Sequence, residues 1–482
     1  MNKQAKVTEG KRLSMIRLLY TFLWTIVFFF TGQVCYAEVK VPAIFANGMV
    51  LQQQSKVSIW GWAKSNAHVK VTCSWNKKTY SAASDAKGRW SIKVETPVAG
   101  FKTYTIRISD GKAIAIKDVL IGEVWLCSGQ SNMDMPLKGY KNQPVENGAE
   151  DVLNASNNYI RLFDLKPVYT TTPQDNCIGN WAATNPETVI DFSATAYYFG
   201  QRLFKMLNVP IGLIHASMGG SRIEPWMTPD VLKNFPDVKI PAANDEVIRN
   251  QTPTVLYNGM IHPIQGVAIK GTIWYQGESN VSNSKQYEKL FPAMISEWRK
   301  LWNIGNFPLY YAQIAPFDYT NRGNSAYLRE AQMKSQYVPN TGMAVTMDAQ
   351  SPNFIHPPKK RVVGERLALW ALAIDYGFKV QHKSPAVINV EYKDHAVVLT
   401  FDVDANTGLT SYGKEIKNFT ISDDTKRFYP ALASINGNKI VVVSAMVEKP
   451  SSVRYAFDNI SESEIFSVNG NLPISSFRTD EW

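Results

Sequence analysis

The sequence predicts an α/β protein: a three-layer, flavodoxin-like core with a parallel sheet, preceded by a β-sandwich and followed by a β-rich module. Two patterns and the chain length lead there. Apolar strand-like runs alternate with amphipathic helix patterns over 118–377, while period-two alternation without helical stretches fills the regions on either side. The 482 residues amount to about three domains of roughly 150 residues each. Hydrophobic residues at 45% and charged residues at 19% exclude disordered, collagen-like and coiled-coil classes.

Residues 1–37 read as a signal peptide. A basic stretch ending at Arg17 precedes the apolar run 18–30 and the small-residue approach to a cut after Ala37. The run is shorter than the roughly 20 residues of a membrane span, so no stable span is expected after cleavage, and an exported protein, periplasmic or extracellular, is. Cys35 lacks the small residues before it that lipidation wants. The formal net charge is +10, and Lys3, Lys6, Lys11, Arg12 and Arg17 in this leader account for part of it. What remains is too diffuse to indicate nucleic acid. Cys73, Cys127 and Cys177 make no disulfide framework, and no Cys/His cluster suggests zinc. No cofactor is indicated.

Residues 38–117 form the expected β-sandwich, on runs such as KVSIWGWA (56–63), HVKVTCSW (68–75) and RWSIKVE (89–95). Trp60, Trp62 and Trp75 are expected to fill its core rather than bind sugar. Over 118–377 the runs 119–127, 209–217, 268–276, 307–315 and 342–348 are continuous and apolar, as a sheet covered on both faces requires. Helix stripes lie between or after them: Ala196, Phe199, Leu203 and Met206; Tyr287, Phe291, Met294, Trp298 and Leu301; Val363, Leu367, Trp370 and Ile374. Residues 378–482 return to period two at 396–403, 439–446 and 452–459.

Open parallel sheets gather functional groups at the carboxyl ends of their strands. The first core run leads into Ser128-Gly129-Gln130-Ser131, the second into Ser217-Met218-Gly219-Gly220, the third into Gln276-Gly277-Glu278 and the fifth through Asp348 to His356. Acyl transfer needs a hydroxyl nucleophile, a base and donors for an oxyanion. Ser131 fits the nucleophile and His356 the base. The backbone N–H groups of Ser131 and Gly220 and the Gln276 amide fit the oxyanion site, with Gly219 and Gly220 letting backbone approach the substrate. Of the six histidines, His356 is the one in a loop at this edge; His215 and His262 sit in apolar surroundings that suggest core imidazoles. No G-x-S-x-G elbow is present, which weighs against an α/β-hydrolase.

The blocks GEVWLCSGQSNM, SMGGSRIEPW, YNGMIHP, IWYQGESN and IHPPKKRVVGERLA resemble, in this order, those of sialate O-acetylesterase-like enzymes of the SGNH hydrolase superfamily. The likeness runs from IFANGMVLQ (44–52) to FRTDEW (477–482). It implies an exported esterase that removes O-acetyl groups from sialic acid or related sugars, with Ser131 as nucleophile and His356 as base. Gly219 or Gly220 and Gln276 would line the oxyanion site. The sequence departs where relatives often carry an aspartate two or three residues before the histidine: Phe354 and Asn353 stand there. A main-chain carbonyl, Asn353 or Asp348 is left to orient the imidazole, and a Ser–His dyad held by a backbone carbonyl is the expectation. Arg222 is positioned to grip a sugar carboxylate or to pair with Glu224; Trp226 offers a stacking face or a packing residue; Glu278 and Asp134 border the motifs. Alternative readings are an acetylxylan or other polysaccharide acetylesterase, and a carbohydrate-binding homologue without turnover.

Overall fold

The computed structural model describes residues 39–349 and 354–482, so the leader expected over 1–37 and the candidate Asn353 lie outside the described residues. The alternating N-terminal runs fold into short strands: β1 (Val50–Gln52), β2 (Lys56–Trp62), β3 (His68–Cys73), β4 (Thr79–Ala83), β5 (Arg89–Glu95) and β6 (Gly100–Ser109). In β5, Trp90, Ile92 and Val94 are buried while Arg89, Ser91, Lys93 and Glu95 are exposed, the pattern of a strand with one face on a core. β2 pairs with β5, and β3 lies between β4 and β6. Trp60 packs edge-on against Phe45 at 4.6 Å, and the Trp75 indole N–H donates to the Glu95 carbonyl at 2.8 Å.

The next strand, β7 (Ala113–Gly129), is 17 residues long and belongs to both regions. Its first half pairs antiparallel with β6; its second half is the central parallel strand of the core sheet. The boundary expected at 117/118 therefore falls inside a continuous strand. Asp118 takes a left-handed conformation there, φ 56°, and its carboxylate meets Arg161 at 2.7 Å.

The core sheet is completed by β8 (Asn157–Asp164), β9 (Trp181–Thr184), β10 (Ile211–Ser217), β11 (Gly271–Tyr275), β12 (Leu309–Ala312) and β13 (Thr341–Ala344). The order is β13-β12-β11-β7-β10-β8-β9, parallel throughout except for β9 at the edge. Alternate residues point to opposite faces. Trp125, Ile273 and Tyr275 meet the helices Ala194–Leu207 and Lys360–Ile374, whereas Trp274 meets the helix Ser284–Trp302. The three expected helix stripes lie on these helices, and Ile374, at the last position of its helix, is exposed. β8 and β9 show no continuous apolar run: NNYIRLFD carries Asn, Arg and Asp among its apolar residues, and β9 is only the four residues WAAT.

The C-terminal residues add two four-stranded antiparallel sheets, one in the order Val387–Lys393, Ala396–Phe401, Lys439–Val443, Leu432–Asn436, the other around Phe419–Ser422 and Ser452–Tyr455. Fully buried Arg329, from the helix Ala326–Lys334, donates to the Ser476 hydroxyl at 2.9 Å and to the Asp458 carbonyl, tying this module to the core.

The two helices over Trp125 approach closely at Gly364, where a Cβ would stand 2.6 Å from the Thr195 carbonyl oxygen. Backbone cannot swing aside as a side chain can. Gly364→Ala is therefore expected to destabilise the fold by about 1–3 kcal/mol, read as a lower melting temperature.

Candidate functional site

Three parallel strands end at one level: Ser217 of β10 and Tyr275 of β11 both stand opposite Gly129 of β7. A Cβ on Gly129 would lie 2.1 Å from the Tyr275 carbonyl oxygen, so the close approach of these strand ends requires glycine. Gln130 follows, its N–H donating to the Tyr275 carbonyl at 2.9 Å, and its own carbonyl starts the short helical turn Ser131–Asp134. Ser131 thus occupies the first position of a turn, where its N–H has no acceptor among the described residues.

Beside it, β10 leads into the Gly219–Gly220 turn. Met218 N–H donates to the Gly129 carbonyl at 3.1 Å, and Gly220 has φ +70°. A Cβ on Gly219 would be 3.9 Å from the Ser131 Cβ. The carbonyls of this turn are held from outside, Gly220 by the Ser279 hydroxyl at 3.0 Å and Gly219 by the Asn250 amide at 3.4 Å. Among the described residues the N–H groups of Gly219 and Gly220 have no acceptor.

His356 enters from the loop before the helix Lys360–Ile374. Its Nδ1 lies 2.7 Å from Gln143 Oε1, and its ring stands edge-on to Tyr140 at 5.1 Å. An amide oxygen only accepts, so Nδ1 carries the hydrogen and Nε2 keeps its lone pair. Tyr140 and Gln143 exchange backbone hydrogen bonds at 2.9 and 3.0 Å, so one tight hairpin presents both to the imidazole. Burial, and secondarily the Lys360 ammonium, pull the His356 pKa down to about 4.

Beneath the Ser131 turn runs a buried chain. Lys360 donates to the Asn132 amide oxygen, and the Asn132 amide N–H in turn donates to Glu278 and, at 3.2 Å, to the Ile355 carbonyl beside His356. Burial lowers the Lys360 pKa to about 7 and raises that of Glu278. Ser131, His356, Gly219, Gly220, Gln130, Tyr140, Glu278, Arg222, Arg249 and Arg322 all line one cleft of about 730 Å³.

Several sequence expectations are corrected. Gln276 is fully buried, outside the cleft, and its amide donates to the Ser221 carbonyl at 3.1 Å and to Asn280 Oδ1 at 2.8 Å. It braces the glycine turn from behind. Trp226 is fully buried, its indole N–H on the Ser221 hydroxyl at 3.0 Å, and is a packing residue. Asp348 forms a two-pronged pair with Arg366 at 2.5 and 2.7 Å. The imidazole is oriented by a side-chain amide, Gln143, in place of the expected backbone carbonyl. Glu224 takes the Asn280 amide at 3.1 Å and makes no ion pair with Arg222, which faces the cleft.

Sequence reasoning missed Gln143, Tyr140, Gln130, Arg249 and Arg322. Gln143 sits in no motif; Gln130 adjoins Ser131, and that adjacency was its signal. Gln130 Oε1 accepts from Gly277 N–H at 3.2 Å, while its amide N–H groups have no acceptor among the described residues, a spare donor at the cleft. Among the described residues no group of three or more His, Cys, Asp or Glu is placed to hold a metal ion, and no helix is long and apolar enough to cross a membrane.

Residues 121–372 match the family described as carbohydrate esterase, sialic acid-specific acetylesterase. The chain is 30% identical to sialate O-acetylesterase of Homo sapiens over 396 residues, covering 73% of this chain and 74% of that one. It is 29% identical to sialate O-acetylesterase of Rattus norvegicus over 510 residues, 89% and 92% of the two chains. A crystal structure described as a novel carbohydrate acetylesterase from Xanthomonas citri superposes with a TM-score of 0.85 at 34% identity, covering 92% of this chain and all of that one.

The depressed imidazole gives a direct test. His356 is expected to protonate near pH 4, against an ordinary histidine value of about 6.5, in an NMR titration. Lys360→Met removes the neighbouring cation and is expected to move that midpoint upward.

Proposed function

Because the chain belongs to the sialic acid-specific acetylesterase family of carbohydrate esterases and is a carboxylic ester hydrolase, we propose that it removes O-acetyl groups from sialic acid or a related acidic sugar through an acetyl-Ser131 intermediate. The observation that carries this reading is the convergence of the Ser131 hydroxyl, the His356 imidazole and the glycine turn on one cleft. The succession of basic, apolar and small residues over 1–37 supports an exported enzyme.

In the first half-reaction, Ser131 Oγ attacks the acetyl carbonyl carbon while His356 Nε2 takes its proton. The oxyanion that forms is met by the N–H groups of Ser131, Gly219 and Gly220, with the Gln130 amide as a further donor. Collapse breaks the bond to the sugar oxygen, which receives the proton from His356. Water then attacks the acetyl-serine as His356 takes its proton, and on collapse the bond to Ser131 Oγ breaks, His356 returns the proton to that oxygen and acetate leaves. A low imidazole pKa suits the protonation of the leaving oxygen, since the imidazolium is the stronger acid for it. Gln143 fixes the ring without supplying a negative charge, which keeps that acidity.

The acidic character of the sugar rests on Arg222, Arg249 and Arg322. They come from three separate loops, and none has a carboxylate partner among the described residues. Unpaired guanidinium groups around a cleft favour an anionic ligand, and a carboxylate can take one of them bidentately.

Ser131→Ala is expected to abolish acetate release from an aryl acetate and labelling by a serine-directed phosphonate, with the melting temperature nearly unchanged. Persistent turnover in that variant would refute the nucleophile. Arg222→Gln is expected to raise KM for 9-O-acetyl sialic acid about tenfold, roughly 1.4 kcal/mol, and to leave a neutral aryl acetate unaffected. Equal or better turnover of acetylated xylan in the native enzyme would move the substrate to neutral polysaccharide.

A further inference from the structure

Behind Tyr140 lies a second cavity, of about 440 Å³, whose lining includes Asp134, Tyr140, Asp164, His215 and Ser217. Tyr140 is thus a wall of both cavities. In the second, a chain of polar groups runs back toward the active site. Asp164 Oδ1 lies 2.8 Å from His215 Nδ1, and His215 Nε2 lies 2.5 Å from Ser217 Oγ. Ser217 Oγ is 3.1 Å from Asp134 Oδ1, and the Tyr140 hydroxyl donates to Asp134 Oδ2 at 3.0 Å. Strand geometry explains the first links: His215 and Ser217 are alternate residues of β10, on one face, and Asp164 is the register partner of His215 on β8.

Asp164, His215 and Ser217 have the arrangement of a nucleophile, its base and an orienting acid. Two features argue against acyl transfer there. Ser217 is only 2% exposed, and the Asp134 carboxylate touching its hydroxyl would repel the negative charge that acyl transfer develops beside it. The far end of the chain indicates another use. Asp134 is in the same short turn as Ser131 and receives Tyr140, whose ring lies against His356 and whose hairpin carries Gln143. Asp134 also sits beneath the glycine turn, 3.8 Å from where a Cβ on Gly219 would be.

We propose that Asp134, held between the Tyr140 and Ser217 hydroxyls, is a positioning residue that fixes the Tyr140–Gln143 hairpin against His356 and so aligns the imidazole with Ser131. Ser217, backed by His215 and Asp164, is its anchor on β10. The inference rests on the Ser131–His356 reading above. The hydroxyl of Ser217 has one proton, which it donates to Asp134 Oδ1, and its oxygen faces His215 Nε2. The charged groups around this end are Asp164 with Lys166, Asp134, and Lys138 with Asp191, together with Lys141.

Tyr140→Phe and Ser217→Ala each delete one hydroxyl, and Phe keeps the ring against His356. Each is expected to lower kcat toward an aryl acetate on the order of tenfold with KM within about twofold, and Ser217→Thr is expected to restore most of the loss. The double variant is expected to be little worse than either single one, because both loosen the same carboxylate. Native kcat in both single variants, or a loss of rate that only follows a loss of folded protein in thermal melts, overturns the proposal. Ser131→Ala measured alongside separates the two readings: activity there removes the acyl-serine mechanism, whereas an inactive Ser131→Ala with unimpaired Tyr140→Phe removes only the positioning role.

Discussion

The alignment of three parallel strand ends at Gly129 is the constraint on which the site depends. Tyr275 and Ser217 flank Gly129 in register, and only a residue without a side chain lets the chains close to that distance. Loops leaving one level of a sheet share a crevice, so the Ser131 turn and a glycine turn 88 residues further along the chain become neighbours. The strand that carries Gly129 is also the one that continues unbroken into the N-terminal sheet. The position of Ser131 is thereby fixed by two layers of packing at once.

Around this frame, burial sets the electrostatics. A lysine, an amide and a glutamate are stacked under the Ser131 turn, with the cation lowering the proton affinity of the imidazole beyond what burial does. The group that orients the imidazole is neutral. In a serine–histidine–aspartate triad the acid both aims the ring and stabilises its charged form; here the amide of Gln143 performs the first task alone. An imidazole arranged in this way holds a second proton weakly.

The cleft above is lined by Arg222, Arg249 and Arg322, none with an ion-pair partner among the described residues, and the side chain that sequence neighbourhood suggested for Arg222, Glu224, is occupied by Asn280. Two kinds of segment therefore line the cleft: strand-end turns carry Ser131 and the glycine pair, and longer loops carry Arg249 and Arg322. Tyr140 connects them to the buried polar chain behind, through one carboxylate, Asp134, that belongs to the Ser131 turn and lies beside the glycine turn.

Sequence alone determined the period of each element and the residues whose chemistry is local to a motif. Five core strands, three helices and the strand-end loops that bring Ser131, the glycine pair and His356 to one cleft were legible because alternation, helix stripes and turn residues are properties of a few neighbouring residues. β8 was not, since its polar residues broke the apolar run, and neither was the direction of the Gln276 amide, which looked free until the Ser221 carbonyl and Asn280 were seen to occupy it. Tertiary structure decided what orients His356. Its partner, Gln143, lies 213 positions away in sequence, and a hydrogen bond across such a span is chosen by how loops pack, which no local pattern encodes.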